Sequence, residues 1–217
     1  MIKRPFEQWL FEDVEMEFGI KSVDNMPALE KWLSITDKNA LSPTIEKLRL
    51  SLLKNVKVWN EDELKMMFIA PFLVEFDFNH LPVYRVFTQR HMTIKTKTIE
   101  SSGRVEWMVA TGQQRPRKPF FFIQECKPEK TSGNDPLGQL LIAMVDAQSR
   151  NDSIEKLLYG CYTIGRFWFF VLLQGKEYGI SRAYDATQTD DLTDMVVILK
   201  RVEQHIHKEL NLPISNV

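Results

Sequence analysis

Residues 119–130 read Pro-Phe-Phe-Phe-Ile-Gln-Glu-Cys-Lys-Pro-Glu-Lys, an apolar run that ends in a carboxylate and an ammonium two positions apart. Residues two apart on a strand share a face, so an extended 120–127 sets Glu125 and Lys127 side by side. Phe120 to Ile123 has the unbroken apolar character of a buried strand. An unpaired charge at the end of such a strand is costly unless it is paired or binds something such as a metal. Two readings stay open on these residues alone. In one, the strand leaves the core at Glu125, Lys127 is its salt-bridge partner and Pro128 ends the pairing; in the other, the pair belongs to a site.

The flanking sequence supplies further acids. Ser-Ser-Gly-Arg-Val-Glu-Trp-Met-Val-Ala (101–110) predicts a Gly turn feeding a short strand in which Glu106 is the one acid. Thr111 to Pro119, rich in Gly, Pro, Gln and Arg, suits the loop of a hairpin with 120–127. Carboxylates on two paired strands can converge on a divalent cation, and oxygen donors favour magnesium over zinc. Upstream, Asn60-Glu61-Asp62-Glu63 has the pattern of a capping box, with Asn60 as N-cap and Glu63 at the third helical position. Leu64, Met67, Phe68 and Phe72 follow at helical spacing, and Pro71 predicts a kink or an end. Acids in a first turn are expected from capping and the macrodipole alone, so a capping role and a site role both remain for Glu63. Downstream, Asp135-Pro136 predicts the cap and first position of a helix that buries Leu137, Leu140, Leu141, Met144 and Val145. Gln139 lies off that face, either solvated or turned to a polar groove at the helix N-terminus.

Taken in order, an acid on a helix, an acid on a strand, Glu-x-Lys on the next strand and a glutamine opening the next helix resemble the PD-(D/E)XK nuclease superfamily. The resemblance covers roughly 60–200. It is closest to the restriction-endonuclease-like domains at the N-terminus of type I restriction motor subunits, whose first helix is similar to Glu63-x4-Phe68-Ile69-Ala70-Pro71-Phe72-Leu73. Tyr159-Gly160, Gly165-Arg166-Phe167-Trp168 and Tyr178 resemble that family's closing strands. One position departs: the family usually has aspartate where this chain has Glu106, and the longer side chain moves the carboxylate by about one bond length, enough to alter metal geometry.

The resemblance implies an α/β (α+β) fold, a restriction-endonuclease-like mixed central sheet flanked by helices, spanning 60–217 behind an N-terminal helical extension, 1–59. It also implies catalytic roles for Glu63, Glu106, Glu125, Lys127 and Gln139, with Mg2+ or Mn2+ held by Glu106, Glu125 and Glu63. Lys127 would orient the attacking water or stabilise the transition state, and Gln139 would position water, a ligand or the nucleic-acid backbone. The expected activity is magnesium-dependent hydrolysis of DNA phosphodiesters, in restriction, repair or defence. The alternative is an inactive nuclease-fold domain that binds nucleic acid or a protein, since fold does not settle chemistry.

The net charge of −1 conceals a segregation. Residues 1–80 carry 10 Lys/Arg and 14 Asp/Glu, residues 81–130 carry 10 and 4, and residues 131–217 carry 8 and 11. The basic third is the one that holds the motifs. Arg104, Arg115, Arg117 and Lys118, with Arg85, Arg90, Lys95 and Lys97, are candidates to neutralise phosphates in a salt-sensitive manner; an ordinary solvated hairpin would carry the same cations. So modest a patch implies weak binding alone, assisted by a second copy of the chain or another partner.

At 217 residues and 44% hydrophobic, the chain can bury a substantial core. No apolar stretch reaches bilayer length and no signal-type run is present, so a cytoplasmic protein with no membrane partner is expected. Cys126 and Cys161 have no metal-ligand spacing, and Cys126 is expected to point into the core. Residues 1–59 read as mostly helical. Leu157–Ile164, Phe167–Leu173 and Tyr178–Tyr184 read as strands, and Leu192–Leu210 as an amphipathic helix. His205 and His207, two apart, cannot share a helix face and are expected at the surface; His80 and His91 have no recognisable partner. Phosphate-cradling and nucleophile-elbow motifs are missing, so a motor function would belong to an ATPase on another chain.

Overall fold

The computed structural model describes residues 2–36, 40–129 and 135–213; Lys130, the last residue of the stretch quoted first, lies outside them. The chain opens with strand β1 (Ile2–Pro5), a 3-10 turn, helix α1 (Phe11–Phe18), strand β2 (Lys21–Ser22) and helices α2 (Pro27–Leu33) and α3 (Pro43–Asn55). A helix in three parts follows: α4 (Glu61–Leu64), a π turn (Lys65–Ile69) and α5 (Ala70–Val74). Then come β3 (Tyr84–Lys95), β4 (Ile99–Thr111), β5 (Arg117–Lys127), α6 (Pro136–Arg150), β6 (Leu158–Ile164), β7 (Phe167–Gln174), β8 (Glu177–Ile180), β9 (Tyr184–Asp185) and α7 (Thr189–Glu209).

These elements form a mixed αβ fold around one nine-stranded sheet, ordered β1-β4-β5-β6-β7-β8-β2, with β3 on β4 and β9 on β7. The expected hairpin is present as the antiparallel pair β4 and β5. β6 lies parallel to β5, and parallel neighbours need a crossover, which α6 supplies. Residues 1–59, beside their helices, also contribute strands to the same sheet: β1 pairs parallel with β4 and β2 pairs parallel with β8.

Each face of the sheet buries its own core. On one, Trp32, Ile45, Leu64, Phe68 and Phe72 pack with Trp107, Phe122, Cys126 and the apolar stripe of α7. On the other, Trp9 and Val14 join Met108, Ile123 and the helix α6 residues Leu140, Leu141 and Met144. Cys126 therefore faces the α7 side, as its alternation with Glu125 and Lys127 requires. Pro71 does not end its helix. It has no N–H to donate, and the preceding turn widens to the π form, with the Ala70 N–H reaching the Lys65 carbonyl.

Helix α6 starts where the sequence sets it. The Asp135 carboxylate accepts from the Leu137 N–H at 3.0 Å and from the Phe11 N–H at 2.7 Å, which ties α1 to α6. Gly138 is required there, because a Cβ would come within 2.7 Å of the Leu10 and Phe11 backbone. The expected surface position of His207 is corrected: it is 2% exposed, closed in by Tyr84 and Pro213. His80 likewise has partners, stacking on Tyr84 and meeting His207 edge-on. No helix among the described residues is long and apolar enough to cross a membrane.

Candidate active site

The site lies where β4 and β5 part. Their last recorded pair in this direction is Trp107 with Gln124, so Glu106 and Glu125 are the first residues past the fork. On the same edge of β4, β1 pairs only from Ile99 to Ser102. Residues 103–106 thus form a gap between two partners. Across β4, Gln89 stands opposite Glu106 with a left-handed φ of 53° and donates Nε2 to Glu106 Oε2 at 2.8 Å. Val105 and Met108, three apart, belong to the same core cluster, so the strand alternation slips at Glu106. Such an irregularity beside a gap in a sheet re-aims a side chain.

Ile123 belongs to the α6-side core, so alternation directs Glu125 and Lys127 to that side too. Lys127 Nζ donates to Glu125 Oε1 at 2.7 Å, and the two side chains are 9% and 4% exposed. Burial pushes the Glu125 carboxyl up to about 7; the Lys127 charge and hydrogen bond pull against that rise, and the Glu106 charge adds to it. For Lys127, burial works against the charge, but the Glu125 charge and hydrogen bond, with Glu61 and Glu106 behind, outweigh it and raise its pKa.

A second lysine completes the cluster. Lys65, in the π turn, donates to Glu61 at 2.5 Å and to Glu106 at 2.6 Å. Burial works against its charge most strongly of any one cause, but the hydrogen bonds to Glu106 and Glu61 and their charges together outweigh it and raise the pKa. Two acids on strands, one on a helix and two lysines therefore interlock. Glu61, Lys65 and Gln89 were not singled out in the sequence. The Glu61-x3-Lys65 spacing is an ordinary i,i+4 helix pair, and only the fold brings Glu106 onto it.

Glu63 is not part of this cluster. It closes the capping box: its Oε2 accepts from the Asn60 N–H at 2.8 Å, and its own N–H donates to Asn60 Oδ1 at 2.9 Å. Gln139 is buried at 8% exposure in the first turn of α6, and among the described residues its Oε1 has no hydrogen-bond partner. This settles the open choice against a solvated side chain.

The basic residues divide. Arg104 lies on β4 two positions from Glu106, opposite His91. Arg115, Arg117 and Lys118 belong to the other end of the hairpin, where Arg117 pairs with Thr111. Arg117 and Glu125 lie eight positions apart along β5, about 25 Å. Lys118 is further occupied by an ion pair with Asp152.

The donor set fits a hard divalent cation. Glu61, Glu106 and Glu125 offer carboxylate oxygens, the chemistry magnesium and manganese prefer. In the arrangement described, lysine ammoniums occupy these carboxylates. Ligand atoms of three His, Cys, Asp or Glu side chains converge within 4.8 Å at one place among the described residues, Asp77, His80 and His207, and not here. In comparisons with known proteins, no family model matches the chain and no curated protein matches it.

Proposed function

We propose that this chain is a metal-dependent nuclease of the PD-(D/E)XK type that hydrolyses DNA phosphodiesters in the cytoplasm, weakly on its own and with a second copy or a partner ATPase for full activity. The observation that carries this reading is the buried Glu125–Lys127 pair at the fork of β4 and β5, with Glu106 as the other acid at the opening. A salt bridge kept for stability alone has no need of a strand fork lined by further acids, and perturbed, clustered ionisable groups of this kind mark functional sites.

Glu106 and Glu125 would hold Mg2+ or Mn2+, with Glu61 taking the helical position that the sequence motif gives to Glu63. When bound, the ion lowers the pKa of a water and offsets charge developing on the phosphoryl oxygens. Lys127, fixed by Glu125, presents an ammonium to the attacking water or to the phosphate oxygens. Gln139 Oε1 holds a water or orients the nucleic-acid backbone, and Arg104 neutralises a flanking phosphate. Each of these groups is placed on a strand or on a helix packed against the sheet, the rigid support that catalytic positioning needs.

A second reading, a binding module without catalysis, is favoured by the lysine pairing of both strand acids, Glu106 with Lys65 and Glu125 with Lys127. Supercoiled, linear and single-stranded DNA incubated with magnesium, manganese or chelator separate the two. Cutting only with metal supports the nuclease; equal DNA binding in metal and chelator without cutting supports the module.

A further inference from the structure

We infer that Asp77, His80 and His207 form a second metal site, for a borderline transition-metal dication such as zinc, separate from the acids of β4 and β5. One ligand atom from each of the three lies within 4.8 Å of the others. They come from distant parts of the chain. Asp77 and His80 belong to the segment between α5 and β3, and His207 to the last turns of α7. The His80 main chain is fixed by its own turn, its N–H donating to the Tyr84 carbonyl at 2.9 Å and its carbonyl accepting from the Val83 N–H at 2.8 Å.

Hydrogen-bond accounting at His207 supplies an independent observation. Its Nδ1 lies 2.5 Å from the Pro213 carbonyl oxygen, which can only accept, so Nδ1 carries the proton. In the neutral imidazole, Nε2 then holds a lone pair. Nε2 lies 2.9 Å from the Tyr84 hydroxyl, and that hydroxyl also lies 2.7 Å from the Asp77 carbonyl oxygen. One hydroxyl hydrogen cannot serve both acceptors. Either His207 Nε2 or the Asp77 carbonyl oxygen is thus left without that hydrogen, and a cation on the Nε2 lone pair frees the hydroxyl for the carbonyl. An imidazole whose other nitrogen donates to a backbone carbonyl is also the usual arrangement of a metal-bound histidine.

The donor set selects the ion. Two imidazoles and one carboxylate suit zinc, at bonds of about 2.0–2.2 Å, with solvent in the fourth position; magnesium, which prefers oxygen, does not compete well. Donors around such an ion stand about 3.3 Å apart, so the ligands close in on binding, and the exposed Asp77 carboxylate has room to do so. The bound ion pins the C-terminal end of α7 to the entry of β3.

The test titrates the whole, chelator-treated protein with Zn2+ by calorimetry and with Co2+ by visible absorption. One equivalent should bind, with cobalt showing the intense bands of tetrahedral coordination. His80→Ala and Asp77→Asn, at partly or fully exposed positions, should fold and weaken zinc binding by about tenfold or more. Glu125→Gln should leave it unchanged. Failure to bind one equivalent overturns the site, as does binding that ignores both variants or disappears with Glu125→Gln. None of these results bears on whether the chain cuts DNA with magnesium.

Discussion

Lys127 Nζ donates to Glu125 Oε1 at 2.7 Å within a single strand, and both side chains are almost wholly buried. Removing one partner of such a pair ordinarily costs about 3–5 kcal/mol, because the other charge is left uncompensated. Glu125 can escape by keeping a proton. Burial raises its carboxyl from 4.5 to about 7, so between those values the folded chain holds a proton that the unfolded chain has released. Its contribution to stability therefore falls as pH rises through that window and levels off above it. Replacing Lys127 removes the charge that restrains this rise, and the fall continues to higher pH. Lys127→Met should match the wild type within about 1 kcal/mol at pH 6 and be about 1–3 kcal/mol less stable at pH 9. Urea unfolding at the two pH values checks this, and a difference independent of pH contradicts it.

Lys65 competes with any cation for Glu106. It bridges Glu61 and Glu106 at 2.5 and 2.6 Å, and a metal bound by Glu106 has to displace it. Lys65→Gln should therefore tighten magnesium and manganese binding by about three- to tenfold, through loss of a charge-assisted bond worth about 1 kcal/mol at a partly exposed position. Calorimetric titration measures it. Weaker binding in the variant would make Lys65 a support of the site rather than a competitor.

Because Arg104 lies two positions from Glu106 while Arg117 is far along the hairpin, their substitutions should separate. Arg104→Ala should lower both DNA affinity and cleavage rate. Arg117→Ala should leave the rate on bound DNA unchanged. If Arg117 touches a phosphate, its loss also reduces the slope of log affinity against log salt by about 1. Equal effects of the two on cleavage would argue against the division of the basic patch.

How far the sequence foretold these features follows from what each residue depends on. The β4–β5 hairpin, the Asn60 capping box, the Asp135 cap and the inward-facing Cys126 rest on period and local chemistry, and the structure has them. What the sequence left out depends on distant partners. The pairing of β1 with β4 and of β2 with β8 involves strands of four and two residues, too short to show a period. The split of the basic residues follows from strand length, which places Arg117 and Glu125 at opposite ends of β5 although they are near neighbours in composition. His207 appeared exposed because it lies two residues from His205 on a helix, whereas its burial is set by Tyr84, 123 positions away. Glu61 displaced Glu63 from the cluster because the local capping box claims Glu63.

The most direct measurement is cleavage of supercoiled DNA by the purified chain with magnesium or manganese, beside chelator and beside Lys127→Ala with its fold verified by circular dichroism. Nicking or linearisation that requires the metal and falls at least about a hundredfold in the variant is the expected result, the loss of a group acting on the transition state. Cutting by Lys127→Ala at the wild-type rate, or no cutting by the folded wild type with either metal, contradicts the nuclease assignment and leaves the fork of β4 and β5 as a binding surface.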